Sequence, residues 1–120
     1  MGVATPPRED AYLAVTEWEL LAEIVKLCDG AGPPVRWVHM AGVRRERCPW
    51  VPGLPDLLLV GAAGCCWREL KCGSTRVTAV QASWLDALEA AGQDVAVWGP
   101  LDLADGTIAR EITALNNRPR

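Results

Sequence analysis

The chain has 120 residues, enough for one hydrophobic core and too few for two independent ones. Half of its residues are hydrophobic and 22% are charged, which excludes extended disorder outside the ends. Its formal charge of −3 excludes a protein that coats nucleic acid indiscriminately, although a local basic patch remains open.

Residues 1–15 form a polar lead with Pro6, Pro7, Arg8, Glu9 and Asp10 and no apolar h-region, so a secretory signal is not expected. No stretch approaches the roughly 20 apolar residues of a membrane span, and the expected location is cytoplasmic. The five cysteines agree. Cys28, Cys48, Cys65, Cys66 and Cys72 are an odd set without C-x-x-C spacing, which reads as reduced thiols, four of them small buried hydrophobes.

Thr16-Glu17-Trp18-Glu19 has capping-box spacing and opens a helix running to about Cys28, stopped by Asp29-Gly30-Ala31-Gly32-Pro33-Pro34. Leu20, Leu21, Ile24, Leu27 and Cys28 make its apolar stripe. Val35 to Met40 alternates as a strand. Leu57 to Val60 and Cys66 to Lys71 then read as a hairpin about Gly61-Ala62-Ala63-Gly64. Thr78 caps a second helix with Gln81 three residues on, and Val80, Trp84, Leu88 and Ala91 recur at helical spacing before Gly92. Val95 to Trp98 is a short strand ending at Gly99-Pro100, and a weaker helix from about Thr107 to Leu115 precedes a polar tail, residues 116–120.

The order α-β-β-β-α-β-α, with strands apolar on both faces, predicts an α/β fold: a mixed central sheet covered on both sides, in one domain over residues 16–115. The helix between the third and fourth strands would be a crossover joining parallel neighbours. Among six tryptophans, Trp18, Trp37, Trp67, Trp84 and Trp98 occupy core-type positions, and Trp50, in a Pro-flanked loop, is the one placed to stack on a base.

Pairing arithmetic points to a site. If Gly61 pairs with Gly64, Asp56 falls opposite Glu69, with Cβ atoms roughly 4.5–5.5 Å apart on one face. Two carboxylates that close repel unless a cation lies between them, and Mg²⁺ takes one or two carboxylates plus waters and phosphate oxygens. Lys71 shares the face of Glu69, while Leu70 points into the core. Acid, acid and amine would converge at one edge of the sheet. A turn aspartate or an exposed strand face accounts for each residue singly, but an acid inside a buried strand asks for a partner.

Other residues have two readings. Glu17, on the apolar side of the first helix, is either a further metal ligand or an acid stabilising the helix N-terminus. Glu19 reads as the capping partner of Thr16, and Gln81 as a capping partner or a site residue. His39 reads as structural, and Cys72 lacks the partners of a catalytic thiol. Arg44, Arg45 and Arg47 before the site and Arg76 beyond it are either solvated loop charges or an electrostatic guide for phosphate.

Gly53-Leu54-Pro55-Asp56, then Glu69-Leu70-Lys71, then Arg76-Val77-Thr78-Ala79-Val80-Gln81-Ala82-Ser83-Trp84-Leu85, followed by Ala90-Ala91-Gly92 and Val95-Ala96-Val97-Trp98, resembles the VRR-NUC branch of the PD-(D/E)xK nucleases. The likeness spans roughly Thr16 to Pro100. It implies a restriction-endonuclease-like core in which Asp56, Glu69 and the backbone carbonyl of Leu70 hold Mg²⁺ or Mn²⁺. Lys71 takes the lysine position, Gln81 the helical glutamine and Glu17 the first-helix acid.

The loop from Ala41 to Pro52 departs from the family pattern. Stand-alone members resemble Holliday-junction resolvases and act as homodimers, many of them phage- or prophage-encoded in bacterial hosts. The expectation is a divalent-metal-dependent DNA endonuclease acting on branched DNA, without covalent nucleophile or organic cofactor, in the cytoplasm or nucleoid. A flap or restriction-type nuclease of the same fold, and a nucleic-acid-binding or assembly module without turnover, are the rival readings.

Overall fold

The computed structural model describes residues 15–40 and 52–117. Most of the N-terminal lead, Arg44, Arg45, Arg47, Cys48 and Trp50 lie outside the described residues. The elements in chain order are α1 (Glu17–Gly30), β1 (Arg36–His39), β2 (Leu57–Val60), β3 (Cys65–Leu70), α2 (Ala79–Ala90), β4 (Val95–Trp98), α3 (Pro100–Ala104) and α4 (Thr107–Ala114).

The strands form one mixed sheet of order β1-β2-β3-β4. The first three are antiparallel neighbours, and β4 runs parallel to β3 after the α2 crossover. No helix among the described residues is long and apolar enough to cross a membrane.

Register sorts the side chains by face, because directly paired residues point the same way. Leu57, Leu59, Cys66, Leu70 and Trp98 share a face and are buried with Leu20, Leu21, Ile24 and Cys28 of α1, Ile108 and Ile112 of α4, and Leu115. The core is therefore one layer, between the sheet and two helices. The other face carries Val38, Val60 and Val97, each between 38% and 41% exposed, and α2, the helix that packs near β4, buries none of its residues. Cover on both sides, expected from apolar strands, is thus half realised among the described residues. Val80 and Ala91, assigned to the apolar stripe of the second helix, are exposed.

Several local readings change. α1 runs two residues past Cys28. β4 ends at Trp98 as expected, and Gly99-Pro100 also opens a short helix, since a proline in the first turn gives up only an N–H that has no partner there. Trp18 and Trp37 are not core residues: they are 73% and 38% exposed, and of the six tryptophans only Trp98 is fully buried among those described. Of the four described cysteines, Cys28 and Cys66 are buried but Cys65 is exposed and Cys72 half-buried. Asn116, read as tail, is a clasp. Its side chain accepts from the Ala62 N–H at 2.9 Å and donates to the Pro33 carbonyl at 2.7 Å, tying the hairpin turn to the loop before β1.

Gly53 shows how the loop before β2 is held. Its φ is +87°, and a Cβ there would meet the Val80 Cγ1, carbonyl carbon and carbonyl oxygen at 2.5, 2.8 and 2.9 Å. Only glycine suits both the dihedral and the approach to the first turn of α2. Gly53→Ala is expected to destabilise the protein by about 2–4 kcal/mol, measured by urea unfolding. A loss below about 0.5 kcal/mol would show that this contact does not hold the loop.

Candidate metal centre

The β2–β3 pairing that places the site follows from the hairpin turn. Gly61 N–H donates to the Gly64 carbonyl at 2.8 Å, and Leu57 pairs with Arg68. Continuing that ladder by one step sets Asp56 beside Glu69. The β1–β2 ladder also runs one residue further, since the Met40 N–H donates to the Asp56 carbonyl at 2.7 Å. Asp56 is thus fixed by its backbone from one side. From the other, its Oδ2 accepts from the Leu70 N–H at 2.8 Å. The acids stand at the ends of the two central strands, not at an edge of the sheet, because β4 extends the sheet beyond β3.

Glu69 is only 2% exposed, and its Oε2 has no hydrogen-bond partner. Burial above all, then the hydrogen bond and charge of Asp56, push its pKa up to about 9, with Lys71 pulling the other way. The metal-free site therefore carries a proton at neutral pH. Glu17, in the first turn of α1, is also raised, first by burial and then by the charge of Asp56.

Glu17, Asp56, Glu69, Leu70, Lys71, Cys72, Thr75 and Gln81 line one cavity of about 430 Å³. The expected catalytic and metal-binding residues are thereby brought to one place. Cys72 and Thr75 join them unpredicted, and the local sequence around Lys71 carries no signal for either. Arg76 is exposed in the loop that leads from Thr75 to α2.

The capping readings hold in part. Thr78 accepts from the Gln81 N–H at 3.2 Å, and the Gln81 Oε1 accepts from the Thr78 N–H at 2.9 Å, a complete capping box. Gln81 is also at the cavity, so its two readings coexist: the carbonyl caps the helix and the amide NH₂ is left for a ligand. At α1 the Glu19 N–H donates to Thr16 Oγ1 at 3.1 Å, but the Glu19 carboxylate takes the Thr16 hydroxyl at 3.0 Å instead of its N–H. Glu19 is spent there rather than at a metal. His39 packs edge-on against Trp18, consistent with a structural histidine.

A hard divalent cation fits this donor set. A buried carboxylate oxygen without a partner, beside a second carboxylate, is the situation a cation relieves by displacing the shared proton. Among the described residues no group of three or more His, Cys, Asp and Glu side chains is placed to hold a metal ion. The side chains that would hold a cation here are Asp56 and Glu69, with Glu17 bordering them, and the resemblance adds the Leu70 carbonyl. So sparse a set suits Mg²⁺ or Mn²⁺, since Mg²⁺ keeps several waters.

The far face of β3 holds a charged network that sequence reading missed. Arg68, 2% exposed, forms an ion pair with Asp94 Oδ1 at 3.0 Å, donates to the Asp94 carbonyl at 3.2 Å and to Glu111 Oε1 at 2.8 Å, and its guanidinium lies 5.1 Å from the Trp98 ring centroid. Trp98 Nε1 donates to the same Glu111 carboxylate. This locks β3 to β4 and α4 directly behind Glu69. An arginine on the core side of an apolar strand was the available signal, but its partners lie far along the chain.

The raised Glu69 pKa sets a pH dependence. From its ordinary carboxylate value to about 9 the folded state keeps a proton that the unfolded state has lost, so metal-free stability falls as pH rises through that window. Metal-free protein is therefore expected to melt at a higher temperature at pH 5 than at pH 8. Glu69→Gln should flatten this trend and raise the pH 8 melting temperature. Mg²⁺ or Mn²⁺ should raise it in the wild type and not in the variant. A wild-type profile parallel to that of Glu69→Gln would contradict the assignment. Comparison of the chain with protein-family models, with curated proteins and with solved structures gives no match, so the site stands on its geometry.

Proposed function

We propose that the protein is a Mg²⁺- or Mn²⁺-dependent endonuclease that hydrolyses DNA phosphodiester bonds, at branched or otherwise structured sites such as four-way junctions, on a PD-(D/E)xK core. The observation that carries this reading is the buried Glu69 carboxylate beside Asp56, one oxygen of which has no hydrogen-bond partner, in a polar cavity that Lys71 and Gln81 share.

The cation, when bound, would polarise the phosphate and lower the pKa of a water. Everything else falls to the chain. Asp56 and Glu69 supply the negative charge that holds the cation, and the Leu70 N–H keeps Asp56 in position. Lys71 is the one cationic side chain among the described residues that line the cavity; it orients the attacking water and offsets the charge that develops on the phosphate oxygens. The NH₂ of Gln81, its carbonyl occupied by the Thr78 cap, donates to a phosphate oxygen. No covalent nucleophile is required. Burial raises the pKa of Cys72, with nearby Glu17 and Asp56 adding to the rise, which disfavours a thiolate in this cavity.

A homodimer is part of the proposal. The half-exposed valines of the open sheet face offer apolar surface for self-association, and two-fold symmetry would present paired sites to a branched junction. Arg76 and the three loop arginines Arg44, Arg45 and Arg47 would guide the phosphates.

Plasmid nicking and cleavage of a labelled four-way junction test the reading. Wild type is expected to cut only with Mg²⁺ or Mn²⁺ and to scatter light as a dimer. Asp56→Asn and Glu69→Gln should lose at least about 100-fold in rate with their metal binding. Lys71→Met should lose a similar factor while calorimetric Mn²⁺ binding is kept. Metal-independent nicking, or Asp56→Asn cutting at the wild-type rate, would sink the proposal.

A further inference from the structure

Trp18 is 73% exposed, the most exposed large hydrophobic side chain among the described residues. It is not a loosely held surface residue. It lies in the first turn of α1, behind the Thr16 cap, and its ring meets His39 edge-on at 5.7 Å between centroids and 73° between planes. His39 in turn ends β1, one residue before the Met40 N–H that binds the Asp56 carbonyl. Glu17, the residue before Trp18, lines the metal cavity. A solvent-facing indole in edge contact with His39 therefore stands one residue from a side chain that lines the cavity.

The charge around it decides what it can receive. Trp18 is flanked in the chain by Glu17 and Glu19, so its sequence neighbours supply no cation to a phosphate at the indole. The face of a nucleobase carries no charge and stacks on indole irrespective of sequence. In a continuous duplex that face is taken by neighbouring bases. An unpaired base, in a single-stranded gap or flap, has its face free.

We propose that Trp18, braced by His39, is a stacking platform for an unpaired nucleobase next to the phosphate in the metal cavity, so that the preferred substrate is DNA with an unpaired base at the cleavage point. This rests on the nuclease reading above. It also gives an acidic protein a means of holding DNA that does not depend on phosphate contacts.

Fluorescence anisotropy in Ca²⁺ buffer, with a labelled duplex carrying a short single-stranded gap and the same duplex without one, tests the platform on wild type, Trp18→Phe, Trp18→Ala and His39→Ala. Thermal melts confirm that each variant folds. Trp18→Ala is expected to weaken binding to the gapped duplex by roughly 5- to 100-fold and to leave the continuous duplex unchanged. Trp18→Phe should retain most of the gap preference, and His39→Ala should lose part of it by freeing the indole. Intrinsic fluorescence should be quenched by gapped DNA in wild type more than in Trp18→Phe.

Equal affinities of wild type and Trp18→Ala for the gapped duplex would overturn the inference, and so would a loss of the same size on both duplexes. A changed sedimentation of Trp18→Ala without DNA, at unchanged DNA affinity, would make the indole a protein contact and overturn it too. Metal-dependent nicking by wild type in any of these cases leaves the nuclease reading standing. Absence of both nicking and DNA binding by wild type removes the two together.

Discussion

Antiparallel pairing across the Gly61–Gly64 turn leaves Asp56 and Glu69 side by side, and Glu69 has almost no access to water. An isolated carboxylate in that position would be costly: burial first, then the hydrogen bond and charge of Asp56, push the Glu69 pKa up to about 9 and favour its protonated form in the metal-free protein. Folding requirements alone do not call for that tension. A leucine at position 69 would pack without it, as replacement of buried polar groups by apolar ones is often neutral or stabilising. The remaining architecture serves to keep the two acids together. Asp56 is tied by the Met40 and Leu70 backbones, Gly53 lets its loop approach α2, and Arg68 anchors β3 from behind.

The Arg68 network has its own energetic logic. A buried guanidinium pays for desolvation unless its donors are met, and here carboxylates from α4 and the start of β4 take two of its nitrogens while Trp98 covers its face. Its Nε has no partner, so the compensation is incomplete. Specific geometry, more than net stability, is what such a network contributes: it joins β3, β4 and α4 in one relative position. The residue beside it in the strand is Glu69, whose placement the proposed chemistry depends on.

Local signals made much of this legible in the sequence. The two-residue turn set the β2–β3 register, and strand alternation then put Leu70 and Glu69 on opposite faces. The Thr78–Gln81 box fixed the start of α2. What escaped was long-range or depended on which face found a partner. Glu111 lies 43 residues from Arg68, and Pro33 lies 83 from Asn116, separations over which periodicity says nothing. Trp18 and Trp37 match an apolar pattern, yet Trp37 pairs with Leu59 on the edge strand β1 and Trp18 sits in the first turn of α1, so both stand at the margin of the core and stay exposed. The stop at Gly99-Pro100 holds, but the short helix that Pro100 opens escaped, because proline ends strands and begins helices alike.

The central claim is that Asp56 and Glu69 share a divalent cation. Anomalous scattering from Mn²⁺-soaked crystals tests it most directly. The account predicts a manganese peak between the Asp56 and Glu69 carboxylates, within ligand distance of the Leu70 carbonyl and completed by waters. A site left without manganese while both carboxylates keep their shared proton, or manganese bound only elsewhere on the molecule, would contradict it.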